Sequence, residues 1–150
     1  MITIEEEHVA HLIESELWPL LQEHREELTT NKVLMELAPL TEQYTAAERG
    51  GMMFTLVARE HGRIVGYSGN FIGPHLHYSR LRYSHNDVLF LAKSHRQGPL
   101  GLRLIAATEK AAKAHGSQLH VWHAKPDTSL AKILPAKGYR VQDVMFSKEL

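Results

Sequence analysis

Not one of the 150 residues is a cysteine. Disulfides, thiolate metal sites and a cysteine nucleophile are therefore excluded, and a reducing compartment is compatible with the chain without being required by it. No apolar run approaches the roughly 20 residues that cross a bilayer as a helix. The opening Met1-Ile2-Thr3-Ile4, followed by Glu5, Glu6 and Glu7, is the opposite of the basic and then apolar start of a signal peptide. The expected location is cytoplasmic, with no membrane partner. Neither sign of charge is in excess, because 17 Lys and Arg balance 17 Asp and Glu. The net positive field on which sequence-independent binding to nucleic acid relies is missing, so nucleic acid is not expected as a partner.

The fractions that remain, 43% hydrophobic and 23% charged, belong to an ordinary globular protein rather than a disordered chain or a fibre. A chain of this length buries roughly two thirds of its unfolded surface and builds one core without staples. No linker, low-complexity tract or internal repeat interrupts it. Residues 1–150 read as a single domain of three layers.

Apolar residues at Val9, Leu12, Ile13, Leu17, Leu20, Leu21 and Leu28 form a helical stripe, and Pro19 predicts a break near Trp18. Thr41 to Arg49 reads as a short helix closed by Gly50-Gly51. Met53 to Arg59 and Arg63 to Ile72, around His61-Gly62, read as a hairpin. Asp87 to Ala92 is a further strand, and Leu100 to His115 an alanine-rich helix ended by Gly116. Gln118 to His123 then reads as strand, Thr128 to Lys137 as helix ended by Gly138, and Tyr139 to Lys148 as a final strand or hairpin arm. The class is mixed α/β.

The strongest local signal runs from Leu89 to Gly101, where a hydrophobic strand passes through a basic, glycine-containing turn into a helix. Such a turn aims unpaired N–H groups and the positive end of a helix at one point, as a pyrophosphate requires, and Arg96 adds a charge. Taken by itself, such a turn is more often a plain strand-to-helix connection.

The order of elements resembles the GNAT acyltransferase superfamily over nearly the whole chain. Leu89, Phe90 and Leu91, then Arg96 to Gly101, stand where that family has a strand of the form L-x-V and a turn of the form Q/R-x-x-G-x-G/A. The stretch from Asp127 to Tyr139 is similar to the family's second signature, in which Asn or Asp opens a helix ending in Gly-Phe or Gly-Tyr. Residues 74–91, with Ala58-Arg59 and Val65-Gly66-Tyr67 before them, resemble a GNAT branch met in phage and bacterial genomes. The resemblance implies a mixed central sheet flanked by helices. It further implies that acetyl-CoA serves as co-substrate, held by Leu89, Phe90, Leu91, Arg96, Gln97, Gly98, Pro99, Leu100, Gly101, Leu102 and Asp127. The acyl group would pass to an amine of a small molecule, peptide or protein, and a homodimer is compatible with this reading.

Two positions depart from the family's pattern. Pro99 replaces the middle glycine and brings no N–H. Leu134 stands where many members place a tyrosine that protonates the departing thiolate; a thiol pKa near 8.5 makes that loss tolerable. An alternative is therefore a non-catalytic CoA-binding or assembly module that retains the fold.

The resemblance places the proton acceptor at Asp87, with His85 as the nearest histidine candidate and His75 and His77 beyond it. Asp87 also reads as a structural carboxylate paired with Arg80 or Arg82. His75-x-His77 and His120-x-x-His123 suggest imidazole ligands, but no acidic or third ligand completes a set, so no metal is expected. Trp18, Leu20 and Leu21 read as core or as groove lining, and Leu104, Ile105, Thr108 and Ala112 as a core face.

Overall fold

The computed structural model describes residues 1–150 as five strands and four α-helices. The strands are β1 (Ile2–Glu6), β2 (Met53–Glu60), β3 (Arg63–Pro74), β4 (Arg82–Leu91) and β5 (Leu119–Val121). They form one sheet in the order β1-β2-β3-β4-β5, antiparallel except for the parallel pair of β4 and β5. The helices are α1 (Trp18–Leu28), α2 (Thr41–Arg49), α3 (Leu100–Ala114) and α4 (Ser129–Ala136). The mixed α/β class expected from the sequence is the one observed. No helix is long and apolar enough to cross a membrane.

Local chemistry accounts for most boundaries. His61 and Gly62 join β2 to β3 with φ of 49° and 81°, both left-handed, as a two-residue hairpin turn matched to strand twist requires. Pro19 lies in the first turn of α1, where a missing N–H leaves no helix bond broken. Gly116 and Gly138, at φ 84° and 88°, close α3 and α4.

Two layers pack on the sheet. Val9, Ala10, Ile13, Leu17 and Leu20 cover Val57, Tyr67 and Phe90 on one face, while Leu104 and Ala112 of α3 cover Phe54, Leu56 and Ile72 on the other. Each such buried side chain contributes about 1.5–3 kcal/mol of apolar transfer. Leu100, at the start of α3, is seated on Ala58 and Val65.

Several expectations are corrected. The stripe before Trp18 forms a 3₁₀ turn at Ala10–Leu12 rather than α-helix, because the buried Glu48 carboxylate accepts the N–H groups of Val9 and Ala10 at 2.7 and 3.1 Å and fixes that turn. Ile2–Glu6, read only as a chain start, is a strand whose Ile2 and Ile4 pack inward. β4 begins at Arg82, not Asp87, and β5 is shorter than Gln118 to His123. Tyr139 to Lys148 carries no strand at all.

Candidate active site

The site is organised by one irregularity in β4. The register with β3 slips between Gly69, opposite Val88, and Asn70, opposite Asn86, so Asp87 has no partner and is bulged out. The Asn86 amide locks the bulge, lying 3.0 to 3.3 Å from Asn70 Oδ1, Val88 O, Gly69 O and Ser68 Oγ. Thr108 on α3 approaches the same Ser68 hydroxyl at 2.8 Å. Ser68, Asn70, Asn86 and Thr108 are all buried and bonded to one another, which keeps this polar cluster from costing desolvation energy. An extra residue re-aims the side chains that follow it. Ser84, Asn86, Leu89 and Leu91 face α3, whereas Asp87 and Phe90 face α1 and α2.

The bulge coincides with the place where the sheet opens. β5 pairs β4 only from Tyr83 to His85. Beyond that, the edge of β4 away from β3 has no strand beside it. Because Ala92 donates its N–H to Val65 O, the alternation of an antiparallel ladder turns the N–H and C=O of Leu89 and Leu91 to the open edge. Leu91 approaches β3 closely, since a Cβ on Gly66 would lie 2.8 Å from Leu91 Cδ1.

The turn after β4 is fastened on several sides. A 3₁₀ turn spans Lys93–His95. His95 Nε2 pairs with Glu60 at 2.9 Å, and Glu23 accepts the Lys93 N–H at 3.1 Å. Arg96 donates from Nε to Leu91 O at 2.8 Å and forks onto the Glu27 carboxylate at 2.6 Å from both terminal nitrogens, with its guanidinium 5.0 Å from the Phe90 ring centre. That fork holds the Glu27 pKa below the usual carboxylate range and raises that of Arg96. The sequence suggests Arg96 as a phosphate contact; in the structure its guanidinium is paired with Glu27 and so ties α1 to the turn.

What the turn offers an anion is main chain. Gly98 has φ 117°, Pro99 stands at the N-cap position, and α3 has neither a capping side chain nor an acidic residue in its first turn. The N–H groups of Gln97, Gly98, Leu100, Gly101 and Leu102 find no acceptor within the chain. They meet the positive end of a 15-residue helix. Gly101 lies over the Leu91 side chain, so this array adjoins the open edge.

The remaining candidates fall into three groups. Asp87 is exposed and accepts the Tyr44 hydroxyl at 2.9 Å; no bond to Arg80 or Arg82 forms. Burial, then the Asp87 charge and hydrogen bond, push the Tyr44 pKa up, so Tyr44 remains the donor. His85 lies between Phe71, Tyr83 and His123, its pKa lowered by burial and then by His123. His75 accepts the N–H groups of His77 and Tyr78 and is a loop cap. His120 bonds Ser84 Oγ at 2.7 Å. No three His, Asp or Glu side chains converge as a metal site would need.

Asp127 is exposed, with φ 61°, and Thr128, not Asp127, caps α4 by accepting from Ala131 N–H at 3.4 Å. Leu134 is buried. Leu17 and Leu20 are core, while Trp18 lines a surface hollow with Gln22 and Arg25. Sequence reasoning missed Tyr44 and Glu27, which lie far along the chain from Asp87 and Arg96. It also missed the Asn70 and Asn86 cluster, for which two asparagines inside strand-forming runs were the available signal.

A model of the acetyltransferase (GNAT) family matches residues 16–132. No curated protein matches the chain. Among solved structures, the chain is similar to a ribosomal-protein-alanine N-acetyltransferase from Brucella melitensis biovar Abortus 2308, with 19% identity, TM-score 0.68 and coverage of 100% of this chain and 99% of that one. It is similar to an aminoglycoside acetyltransferase from an uncultured soil metagenomic sample, in complex with sisomicin, at 18% identity and TM-score 0.74, covering 99% and 96%. It also resembles an aminoglycoside N-acetyltransferase in complex with CoA, at 16% identity and TM-score 0.68, covering 99% of each. At these identities the likeness is one of fold.

Proposed function

This chain belongs to the acetyltransferase (GNAT) family, and on that footing we propose that it is an N-acetyltransferase whose acyl donor is acetyl-CoA and whose acceptor is an amine of a small molecule, peptide or protein. The observation that carries this reading is the succession of three features along β4 and the turn after it: the bulged carboxylate of Asp87, the outward N–H groups of Leu89 and Leu91, and five free N–H groups at the start of α3. A diphosphate fits the third and an extended amide-bearing arm fits the second. Pro99 contributes no N–H, but its neighbours on both sides do.

Acetyl-CoA supplies a thioester carbonyl carbon for attack by the amine. Asp87 takes a proton from the acceptor ammonium, and the strand amides at the open edge stabilise the oxyanion that forms as the C–N bond is made. Removing one such preorganised donor costs about 3–4 kcal/mol in a measured case of acyl transfer. The C–S bond then breaks. Leu134 gives no proton to the departing thiolate, which leaves as the anion because thiol pKa values lie near 8.5.

Calorimetric titration with CoA, followed by a thiol-release assay over a panel of amines, tests the proposal. Saturable binding with release that depends on an amine supports it. The buried Leu134 favours a second reading, a CoA-binding module without turnover, and binding without release on every amine would select that one. Absence of binding would remove both.

A further inference from the structure

The face of the sheet that carries Asp87 continues, on the Arg82 side of the bulge, into a row of rings. Tyr83, His85 and Asp87 alternate on that side of β4, while Ser84 and Asn86 point to the other. Phe71 of β3 stands opposite His85 in register. The Tyr44 ring is stacked with Phe71 at 6.3 Å between centres, Phe71 lies 5.6 Å from His85, His85 6.0 Å from Tyr83, and Tyr83 4.9 Å from His75. All five rings are half-buried, so each keeps part of its surface for a ligand.

Charge on this row is confined to one end. Asp87 is the only carboxylate hydrogen-bonded to any of the five, through Tyr44 at 2.9 Å. No Lys or Arg of the chain lies over them, since the cation held against a ring is Arg96, and its ring is Phe90. The row therefore offers one anionic anchor and, beside it, ring faces that no cation of the protein already occupies. His85 stands two residues from Asp87, about 6.5 Å along a strand, and Tyr44 bridges the interval by touching both the carboxylate and Phe71. An acceptor with several ammonium groups would find a carboxylate for one of them and imidazoles for the rest. A single ammonium on a flat apolar body matches the whole row.

We propose that the acceptor is a primary monoamine carrying an aromatic ring on a short saturated tether, with its ammonium at Asp87 and its ring laid against Phe71 and His85. This assignment rests on the acetyltransferase reading above and narrows it. The aryl ammonium loses two protons, the first to Asp87, and gains the acetyl group through a new C–N bond as the C–S bond breaks and CoA thiolate departs.

Thiol release under saturating acetyl-CoA, measured with phenethylamine, hexylamine and the aminoglycoside sisomicin, tests the assignment. kcat/KM for phenethylamine should exceed that for hexylamine by about tenfold, chiefly through KM, as one good aromatic contact provides. Sisomicin should be the poorest of the three. Phe71→Leu keeps apolar bulk without the ring face and should bring the ratio of the two monoamines close to one. A ratio already near one in the parent, a ratio that Phe71→Leu leaves unchanged, or fastest release with sisomicin would each overturn the aryl assignment and leave the acetyltransferase reading standing. Release with none of the three nor with any other amine would remove that reading and the assignment together.

Discussion

Tyr44 donates its phenolic O–H to Asp87 Oδ2 across 2.9 Å, tying α2 to the one residue of β4 that has no partner on β3. The carboxylate is thereby aimed by a helix that precedes it by 43 residues. Removing the donor with Tyr44→Phe should cost about 1 kcal/mol of stability, the usual net worth of a partly exposed hydrogen bond. Turnover should fall several-fold while CoA affinity stays put. Asp87→Asn, which keeps the acceptor but not the base, should lower kcat by about 100-fold or more. Calorimetry and thiol release on the same preparations check both, and equal loss of CoA binding in either variant would move Asp87 out of the acceptor side.

Arg96 and Glu27 test whether the turn is held by charge or by phosphate. If Arg96 is a pin, Glu27→Gln and Arg96→Ala weaken CoA binding alike, by about tenfold, which corresponds to 1.4 kcal/mol. If Arg96 contacts the phosphates directly, freeing it with Glu27→Gln leaves affinity equal or greater. The fork to Glu27 and the bond to Leu91 O favour the first outcome.

What the sequence made legible was whatever is encoded within a few residues. The turn at His61-Gly62, the break at Trp18 and the glycine ends of α3 and α4 follow from backbone freedom, and all were readable. The turn from Arg96 to Gly101 could be located for the same reason. The bulge at Asp87 could not, because it arises from the pairing of two strands and from Asn86 reaching four acceptors on other residues. Tyr139 to Lys148 has the composition of a strand, yet composition does not say where the partner edge lies. Ile2–Glu6 was overlooked because only Ile2 and Ile4 need to face the core in a strand with its other side in solvent.

Two glycines separate conformational cost from steric cost. Gly98 has φ 117° and open space around the site of a Cβ, so Gly98→Ala strains the backbone by about 1–3 kcal/mol without touching the core. The turn should relax, dispersing its N–H groups and weakening CoA binding while the melting temperature changes little. Gly66→Ala instead drives a methyl to 2.8 Å from Leu91 Cδ1 and 3.1 Å from Phe90 O. That variant should lose stability outright. Thermal melts beside CoA titrations distinguish the pair, and identical behaviour would mean that the Gly98 conformation is not needed for the ligand.

His120 makes stability depend on pH in a definite direction. Burial, then the nearby His85, hold its pKa down to about 4, against the opposing charge of Glu109. The folded state therefore favours neutral imidazole, and the unfolded chain, with its pKa near 6.5, binds the proton more readily. The contribution is complete above pH 6.5 and is lost as pH falls toward 4. His24, depressed chiefly by burial and hydrogen-bonded to the Tyr67 hydroxyl at 2.6 Å, acts with the same sign. The His120 share should be on the order of 2 kcal/mol after allowance for its partial exposure. His120→Asn keeps an amide N–H within reach of Ser84 Oγ, whose own hydrogen is directed to Ser117, and removes the titration. Urea midpoints taken stepwise through this range should flatten in the variant relative to the parent; parallel curves would mean that His120 is protonated in the native state.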